Sequence, residues 1–387
     1  RASYGIQGNI DKNTSPYVMG TYKVEQILPG NSENTIRVDS PPNDKLRWEK
    51  TQSVNAGLDF SVLDQAISLG IDYYYRYSSD LIGTKMTPLE TGFSSTTVNW
   101  ATLRNQGIEL SLTTRNIHTK NFTWYTNFNI GYNNNKILKM SVPANQTTPS
   151  LVGYPIGAIF AYPSAGLDSE GYPLFLNSAG EKVTAEQYFN MKNDGPDLTA
   201  EEHRALFKYI GTTEPLYSGG FTNTFTIKRF EIAVNCIFNL GQYVQTQPSY
   251  SITSYDRGMN TNRDILDRWT PSNPNGRFPA LISDTKNGQS YRHNEYTAFN
   301  DLNYYNSMDT WVKKGNYMRI QSIRVGYKLP ENWLKLFHMS SGSISLEGRN
   351  LFVVGSDYTN YLDPETMGNV YAQPIPKSVT FSLNLNF

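Results

Sequence analysis

The sequence predicts an all-β chain, an antiparallel transmembrane β-barrel with short turns on one side and long extracellular loops on the other. Three observations predict it. In the last ten residues Val379, Phe381, Leu383, Leu385 and Phe387 alternate with Ser378, Thr380, Ser382, Asn384 and Asn386, giving one wholly apolar and one small, polar strand face. About ten residues is also the length of a tilted strand that crosses a bilayer. Second, similar strands recur along the chain, and their short and long connections alternate strictly. Barrels in membranes keep short turns on one side and long loops on the other, whereas soluble sandwiches mix Greek-key crossings. Third, 27 Tyr, 18 Phe and 6 Trp make aromatic residues unusually frequent. Such side chains collect at lipid headgroup level and on surfaces that bind sugars or peptides.

Taken in order, residues 1–7 read as a strand end. Residues 53–62 place Val54, Ala56, Leu58, Phe60 and Val62 on one face, and after a turn at Leu63-Asp64-Gln65 the next strand shows Ile67, Leu69, Ile71, Tyr73, Tyr75 and Tyr77. A long polar segment, 78–102, follows. Residues 106–114 and the strand carrying Phe122, Trp124, Phe128, Ile130 and Tyr132 form a second hairpin, followed by a long loop, 133–218. Phe221, Phe225 and Ile227 precede the two-residue turn Lys228-Arg229, and Phe230, Ile232, Val234, Cys236, Phe238 and Leu240 follow it. The apolar parity changes across that turn, as a hairpin with one apolar face requires. A long loop, 244–311, leads to a strand at 319–328. A medium turn, 329–337, predicts a short helix with Pro330 near its start. Residues 343–354 run up to the last long loop, 355–377, and the terminal strand ends the chain on the periplasmic side. The apolar parity then faces lipid, while Asn55, Asp59, Asp72, Arg76, Ser378, Thr380, Asn384 and Asn386 face the lumen.

Composition narrows the function. Lys+Arg and Asp+Glu both number 34, and this balance argues against nucleic acid as a partner. No apolar run approaches the roughly eighteen residues of a membrane-spanning helix, which leaves strands as the membrane-crossing elements. The one cysteine, Cys236, reads as a small apolar residue on a strand face. Ten strands with two free edges would leave unpaired backbone groups in hydrocarbon, each costing several kcal/mol. The chain opens in mid-strand, so the missing strands are expected in an N-terminal portion or a separate chain.

Several stretches together resemble the C-terminal part of the SusC/RagA family of TonB-dependent outer-membrane transporters of Bacteroidetes. They are Arg1-Ala-Ser-Tyr-Gly5, Leu46-Arg-Trp-Glu-Lys50, Asp72-Tyr-Tyr-Tyr-Arg76 through Ser79-Asp-Leu-Ile82, and Asn105-Gln-Gly-Ile-Glu-Leu110. Further on come Gly153-Tyr-Pro-Ile-Gly157 with Ala165-Gly-Leu-Asp168, Tyr217-Ser-Gly-Gly-Phe-Thr-Asn-Thr-Phe225 and Arg268-Trp-Thr-Pro-Ser-Asn-Pro274. Tyr317-Met-Arg-Ile-Gln-Ser-Ile-Arg-Val-Gly-Tyr327 and Gly348-Arg-Asn-Leu-Phe352 complete the series. The resemblance implies that residues 1–387 are roughly the last ten strands of a twenty-two-stranded barrel in a Gram-negative outer membrane. It implies import of oligosaccharides or oligopeptides, the glycan being the commoner cargo of the family. It also implies a SusD-like surface lipoprotein as a lid and energy from TonB, delivered through an N-terminal plug and barrel portion that these residues lack.

No catalytic constellation is visible, so the chain reads as a non-enzyme with no cofactor. His118, His203, His293 and His338 fall in four different connections without ligand spacing, so no metal site is expected. Asp168-Ser-Glu170 and Asp363-Pro-Glu365 carry oxygen ligands suited to Ca²⁺ but read better as polar turns. Thr199-Ala-Glu-Glu202 predicts a capping box that opens a loop helix. The candidate substrate-binding residues are the loop aromatics Phe160, Tyr162, Tyr172, Trp269, Tyr304, Tyr305 and Trp311, because a rigid aromatic face stacks on a sugar ring or a peptide side chain at small entropic cost; such a face equally packs a loop's own core or a partner's surface. Two alternatives belong to other classes. A soluble or surface-displayed β-rich binding or adhesion module would not transport, and a β-rich hydrolase would need two carboxylates, such as Asp59 and Asp72, meeting at one substrate bond.

Overall fold

The computed structural model describes residues 1–387 other than 11, 13, 94, 144, 193–194, 197, 249, 253–259, 282–303, 356–362, 367–368 and 370–371. Ten strands pair in chain order in one antiparallel sheet: β1 Ala2–Asn9, β2 Glu49–Val62, β3 Ile67–Met86, β4 Ser95–His118, β5 Phe122–Lys139, β6 Tyr217–Ile227, β7 Phe230–Leu240, β8 Tyr317–Lys328, β9 Ser341–Val354 and β10 Ser378–Asn386. The chain divides into two compact units. One comprises residues 1–114, 129–145 and 150–156, and the other residues 115–128, 146–149 and 157–387.

In the first unit the register carries the alternation from strand to strand. Ala56, Tyr73 and Ile108 stand opposite one another, as do Leu58, Ile71 and Leu110, and then Phe60, Leu69 and Leu112. These rows form one apolar face, and it is open, with Leu58 64% exposed. The other parity is polar: Ser53, Arg76 and Asn105 form one row and Gly57, Asp72 and Glu109 the next. On it the Arg1 guanidinium lies 2.6 Å from Asp72 Oδ2 and 3.5 Å from Asp59 Oδ1, and the Tyr74 hydroxyl donates to Asn133 Oδ1 at 2.8 Å. Asp59 and Asp72 therefore meet a cation between them, an arrangement for holding the strands in register rather than for cleaving a bond.

Two features of this unit differ from the sequence expectation. The segment 78–102 is mostly strand, since β3 continues to Met86 and β4 begins at Ser95. Its Ser, Thr and Gly residues show no apolar alternation, as befits strand ends where neither face needs an apolar solvent, and the backbone ladder continues through a register shift near Asp80. There Asn99 Nδ2 donates to the Asp80 carbonyl at 2.6 Å, and Arg47 pairs with the Asp80 carboxylate. Between β1 and β2 a separate hairpin, Met19–Leu28 with Asn31–Ser40, pairs Tyr22 with Ile36 and leaves both exposed.

The second unit repeats the two-faced pattern. Leu346 lies opposite Phe381, Ile344 opposite Leu383 and Gly348 opposite Val379, with Val379 71% and Phe381 67% exposed. In β8 the apolar positions Met318 and Ile320 are even and Ile323, Val325 and Tyr327 are odd. A register shift between Ile320 and Ser322 absorbs Gln321, so that Phe238, Cys236, Val234, Ile232 and Phe230 of β7 each still face an apolar partner. Asn223 shares the parity of Phe221 and Phe225 on β6. Its Oδ1 is satisfied within that face by Trp124 Nε1–H at 2.9 Å and the Thr126 hydroxyl at 2.7 Å. The short helix Glu331–Leu336 forms as expected, with Pro330 as its N-cap.

The β6–β7 turn is the two-residue connection expected, closing on Ile227 opposite Phe230. Lys228 sits there at φ 53°, a conformation that favours glycine, and its N–H donates to the Asn121 carbonyl at 2.9 Å. Lys228→Gly keeps that N–H and relieves the strain, so the temperature at which the detergent-extracted protein loses its compact form on a gel is expected to rise, equivalent to about 1 kcal/mol. A lowered temperature would show that the lysine side chain stabilises the turn.

Candidate functional site

The long loops of the second unit build their own folded body on short strands. Ser164–Leu167, Pro173–Leu176 and Lys182–Thr184 form a three-stranded sheet, and Ala158–Ala161 pairs with Lys208–Thr212. Polar turns with local caps join them. Asp168 Oδ1 accepts the N–H groups of Glu170 and Tyr172 at 2.8 and 2.9 Å, and Asn177 Oδ1 accepts those of Ala179 and Glu181. Gly171, at φ 82°, closes the first turn beneath the Trp269 indole, where a Cβ would come within 2.6 Å of the ring. The expected capping box is present, Thr199 with Glu202 opening the helix Ala200–Ala205. A second one, Thr184 with Gln187, opens the helix Ala185–Tyr188.

The body is held by an aromatic core. Tyr162 stacks on Phe207 with centroids 4.2 Å apart and meets the edge of Phe189 at 4.9 Å. Phe189 stacks on Tyr304 at 4.1 Å, Phe175 on Tyr188 at 4.9 Å, and Phe278 on Trp311 at 5.7 Å, with Tyr305 edge-on to Trp311. Burial raises the phenol pKa values of Tyr162, Tyr188, Tyr304 and Tyr305, so these rings stay neutral. Tyr304 and His203 face each other, with hydroxyl and Nε2 3.2 Å apart, and His203 Nδ1 lies 3.2 Å from the Thr147 carbonyl.

Six of the seven aromatic residues singled out in the sequence, Tyr162, Tyr172, Trp269, Tyr304, Tyr305 and Trp311, are at most 8% exposed. All but Trp269 belong to this one cluster. As packed, they brace the loop body. Phe160 is half-buried, edge-on to the exposed Tyr209 at 5.7 Å. Phe175, Tyr188 and Phe189 are equally part of the core, with the partly buried Phe207 and Phe278 packed against it, and they carry no local signature beyond the capping box that precedes Tyr188.

Two acidic clusters take structural partners. Asp363 and Glu365 both pair with Arg319 of β8, whose Nε lies 2.6 Å from Glu365 Oε1 and whose Nη2 donates to Asp363 Oδ1. Asp168 is occupied in its own turn, and among the described residues no three His, Cys, Asp or Glu side chains converge. His293 lies outside the described residues. Asp309 is half-buried between loop segments. Its N–H donates to the Tyr162 carbonyl at 3.0 Å and its Oδ1 accepts the Ser164 N–H at 3.0 Å.

Burial raises the Asp309 carboxyl pKa, against backbone hydrogen bonds and the charges of Lys208 and Lys313. The folded form thus binds this proton more tightly than the unfolded one, and the contribution to stability falls as pH rises above the usual carboxylate value. Asp309→Asn keeps an acceptor for Ser164. Its loop body is expected to resist proteolysis better than the wild type at neutral pH, with a flatter pH profile from about pH 4 to 7. Lower resistance at neutral pH would mean that the charged form is the stabilising one.

Between the three-stranded sheet and residues 205–208 lies a cavity of about 450 Å³. Leu176, Val183, Leu206 and Phe207 line its apolar part, and Ser178, Gln187 and Lys208 its polar part.

Comparison with known proteins matches residues 1–351 to the family described as TonB dependent receptor-like, beta-barrel. TonB-dependent receptor P3 of Formosa agariphila is 27% identical over 384 residues, covering 94% of this chain and 35% of that protein. TonB-dependent receptor SusC of Bacteroides thetaiotaomicron is 27% identical over 363 residues, covering 89% of this chain and 32% of that protein. Among solved structures, the RagAB peptide transporter superposes over 100% of this chain and 40% of its own, with a TM-score of 0.75 at 22% identity. The chain thus spans about a third of the length of these curated relatives.

Proposed function

The chain belongs to the TonB dependent receptor-like β-barrel family, and from that membership we propose that it forms the C-terminal barrel portion of an outer-membrane importer of SusC/RagA type. The observation that carries this reading is the open apolar parity, aligned row by row across strands, opposite a parity of charged and amide side chains. Such a sheet is stable where one face meets lipid and the other a polar lumen. In water the same rows would be an aggregation surface, which disfavours a soluble module. Among the described residues β1 and β10 are the outermost strands of the sheet, and further strands of the importer would pair with their outer edges in hydrocarbon.

In this reading an oligosaccharide or oligopeptide too large for passive pores binds on the extracellular side, against the loop body. A SusD-like lipoprotein closes over it, and TonB, pulling on a plug in the N-terminal portion, supplies the work of release. The chain's own part is binding and support rather than bond-breaking chemistry: the aromatic core holds the loops in place, and Phe160 with Tyr209 and the nearby cavity offer surface to a ligand.

The test is extraction in detergent, peptide mapping of every component, and uptake of labelled oligosaccharides and oligopeptides. Expected is this chain in one assembly with a plug-bearing portion and a lipoprotein, with uptake that stops when TonB is removed. A lone species that stays soluble without detergent would contradict the reading.

A further inference from the structure

We infer that the 450 Å³ cavity in the loop body is a receptor for an apolar side chain of an acidic oligopeptide. The inference rests on the import reading and makes its cargo class specific. The volume lies in the range of small-ligand sites, about 300–1,000 Å³. Its walls are fixed independently of any ligand. Tyr188, whose helix is held by the Thr184–Gln187 capping box, donates its hydroxyl to the Leu206 carbonyl at 2.6 Å and so ties the two sides together.

The chemistry of the lining selects the ligand. Leu176, Val183, Leu206 and Phe207 make an apolar floor, and among the described lining residues Lys208 is the only charged one. The remaining polar groups are biased toward donors. Gln187 uses its amide oxygen on the Thr184 N–H, leaving its amide hydrogens; Ser178 adds a hydroxyl and Lys208 an ammonium. Asn177 uses its amide oxygen within its own turn and one amide hydrogen on Glu181. An acceptor-rich ligand with an apolar branch fits this lining: backbone carbonyls and a side-chain carboxylate for the donors, an aliphatic side chain for the floor. A neutral sugar fits worse, because it brings no carboxylate to Lys208 and no aliphatic branch to the floor. The lining holds no carboxylate, and hydroxyls set against the floor would be left unpaired.

The test uses the whole transporter with its partners, purified in detergent, and fluorescence anisotropy. Its probes are a fluorescein-labelled pentapeptide with one leucine and one glutamate, the same peptide with glutamine for glutamate, and a labelled neutral pentasaccharide. Lys208→Gln is expected to weaken the acidic peptide about tenfold and leave the glutamine peptide unchanged. Ala205→Trp, at an exposed position on the lining, is expected to weaken both peptides at least tenfold by filling the cavity. Both substitutions lie at the surface and leave the aromatic core intact. Unchanged peptide affinity in both variants would overturn the cavity assignment while leaving import standing. So would pentasaccharide binding that Ala205→Trp abolishes, or loss of the lipoprotein from either variant with peptide affinity retained. A wild-type assembly that neither binds nor imports any of the three probes would instead overturn the import reading itself.

Discussion

Arg319→Ala is expected to cost about 3–5 kcal/mol and to release the segment around Asp363 from β8. Arg319 and Asp363 are both nearly inaccessible, and Glu365 is mostly so. Removing the guanidinium leaves two carboxylates facing each other in a site that water scarcely reaches. Asp363 also organises its own segment, accepting the Glu365 N–H at 3.0 Å and the Ile375 N–H at 3.3 Å, while its carbonyl accepts the Thr366 hydroxyl at 2.6 Å. The loss therefore spreads along residues 363–375. Limited proteolysis of the extracted protein should show new cleavage there. Adding Asp363→Asn and Glu365→Gln to Arg319→Ala should recover part of the loss, because the uncompensated charge is then gone. Arg319→Ala without new cleavage would mean that the segment is held by other contacts.

Phe189→Ala is expected to be comparably severe for the loop body, about 3–5 kcal/mol. Its ring is fully buried, stacked on Tyr304 and edge-on to Tyr162 and Phe175. The hole left would lie at the centre of side chains too stiff to collapse into it. Strands β6–β10 take no part in these ring contacts, so the expected result is a protein that keeps its heat-modifiable gel mobility but whose residues 157–212 become protease-sensitive. Phe189→Leu, which refills most of the volume, should restore most of the protection. Loss of gel mobility together with protection would show instead that the strands depend on the loop body.

How legible this was in the sequence follows from where a residue's surroundings repeat. Strands with one face toward lipid write that face into every second residue, so β2, β6, β7, β9 and β10 are readable from Leu58, Phe225, Ile232, Leu346 and Phe381 and their neighbours. The outer halves of β3 and β4 are not, because Ser79, Thr84 and Thr97 stand where no apolar face is required, and the strand there is sustained by backbone pairing and by polar side chains such as Asn99 and Arg47 that bond to Asp80. The parity change in β8 is visible as Met318 and Ile320 against Ile323 and Val325, yet only the pairing with β7 and β9 identifies it as an irregularity of the ladder.

The site was legible in composition and opaque in detail. A tyrosine in a polar loop looks the same whether it faces a ligand or a core. Tyr162 precedes Tyr304 and Trp311 by more than a hundred residues, and they meet only through short strands that no periodicity marks. The capping box at Thr199 was readable because its signal lies within four residues. The cavity was not, since Leu176, Val183 and Leu206 become neighbours only once the loops are folded.

The most direct test of the central claim is spin-label accessibility along β10 with the protein in a lipid bilayer. Single cysteines would be placed in turn at positions 378–386 in a Cys236→Ser background. A strand between lipid and lumen gives alternation with a period of two: labels at 379, 381, 383 and 385 exposed to oxygen dissolved in the bilayer, and labels at 378, 380, 382 and 384 to a water-soluble nickel reagent. Uniform accessibility to the nickel reagent, or alternation of the opposite phase, would contradict it.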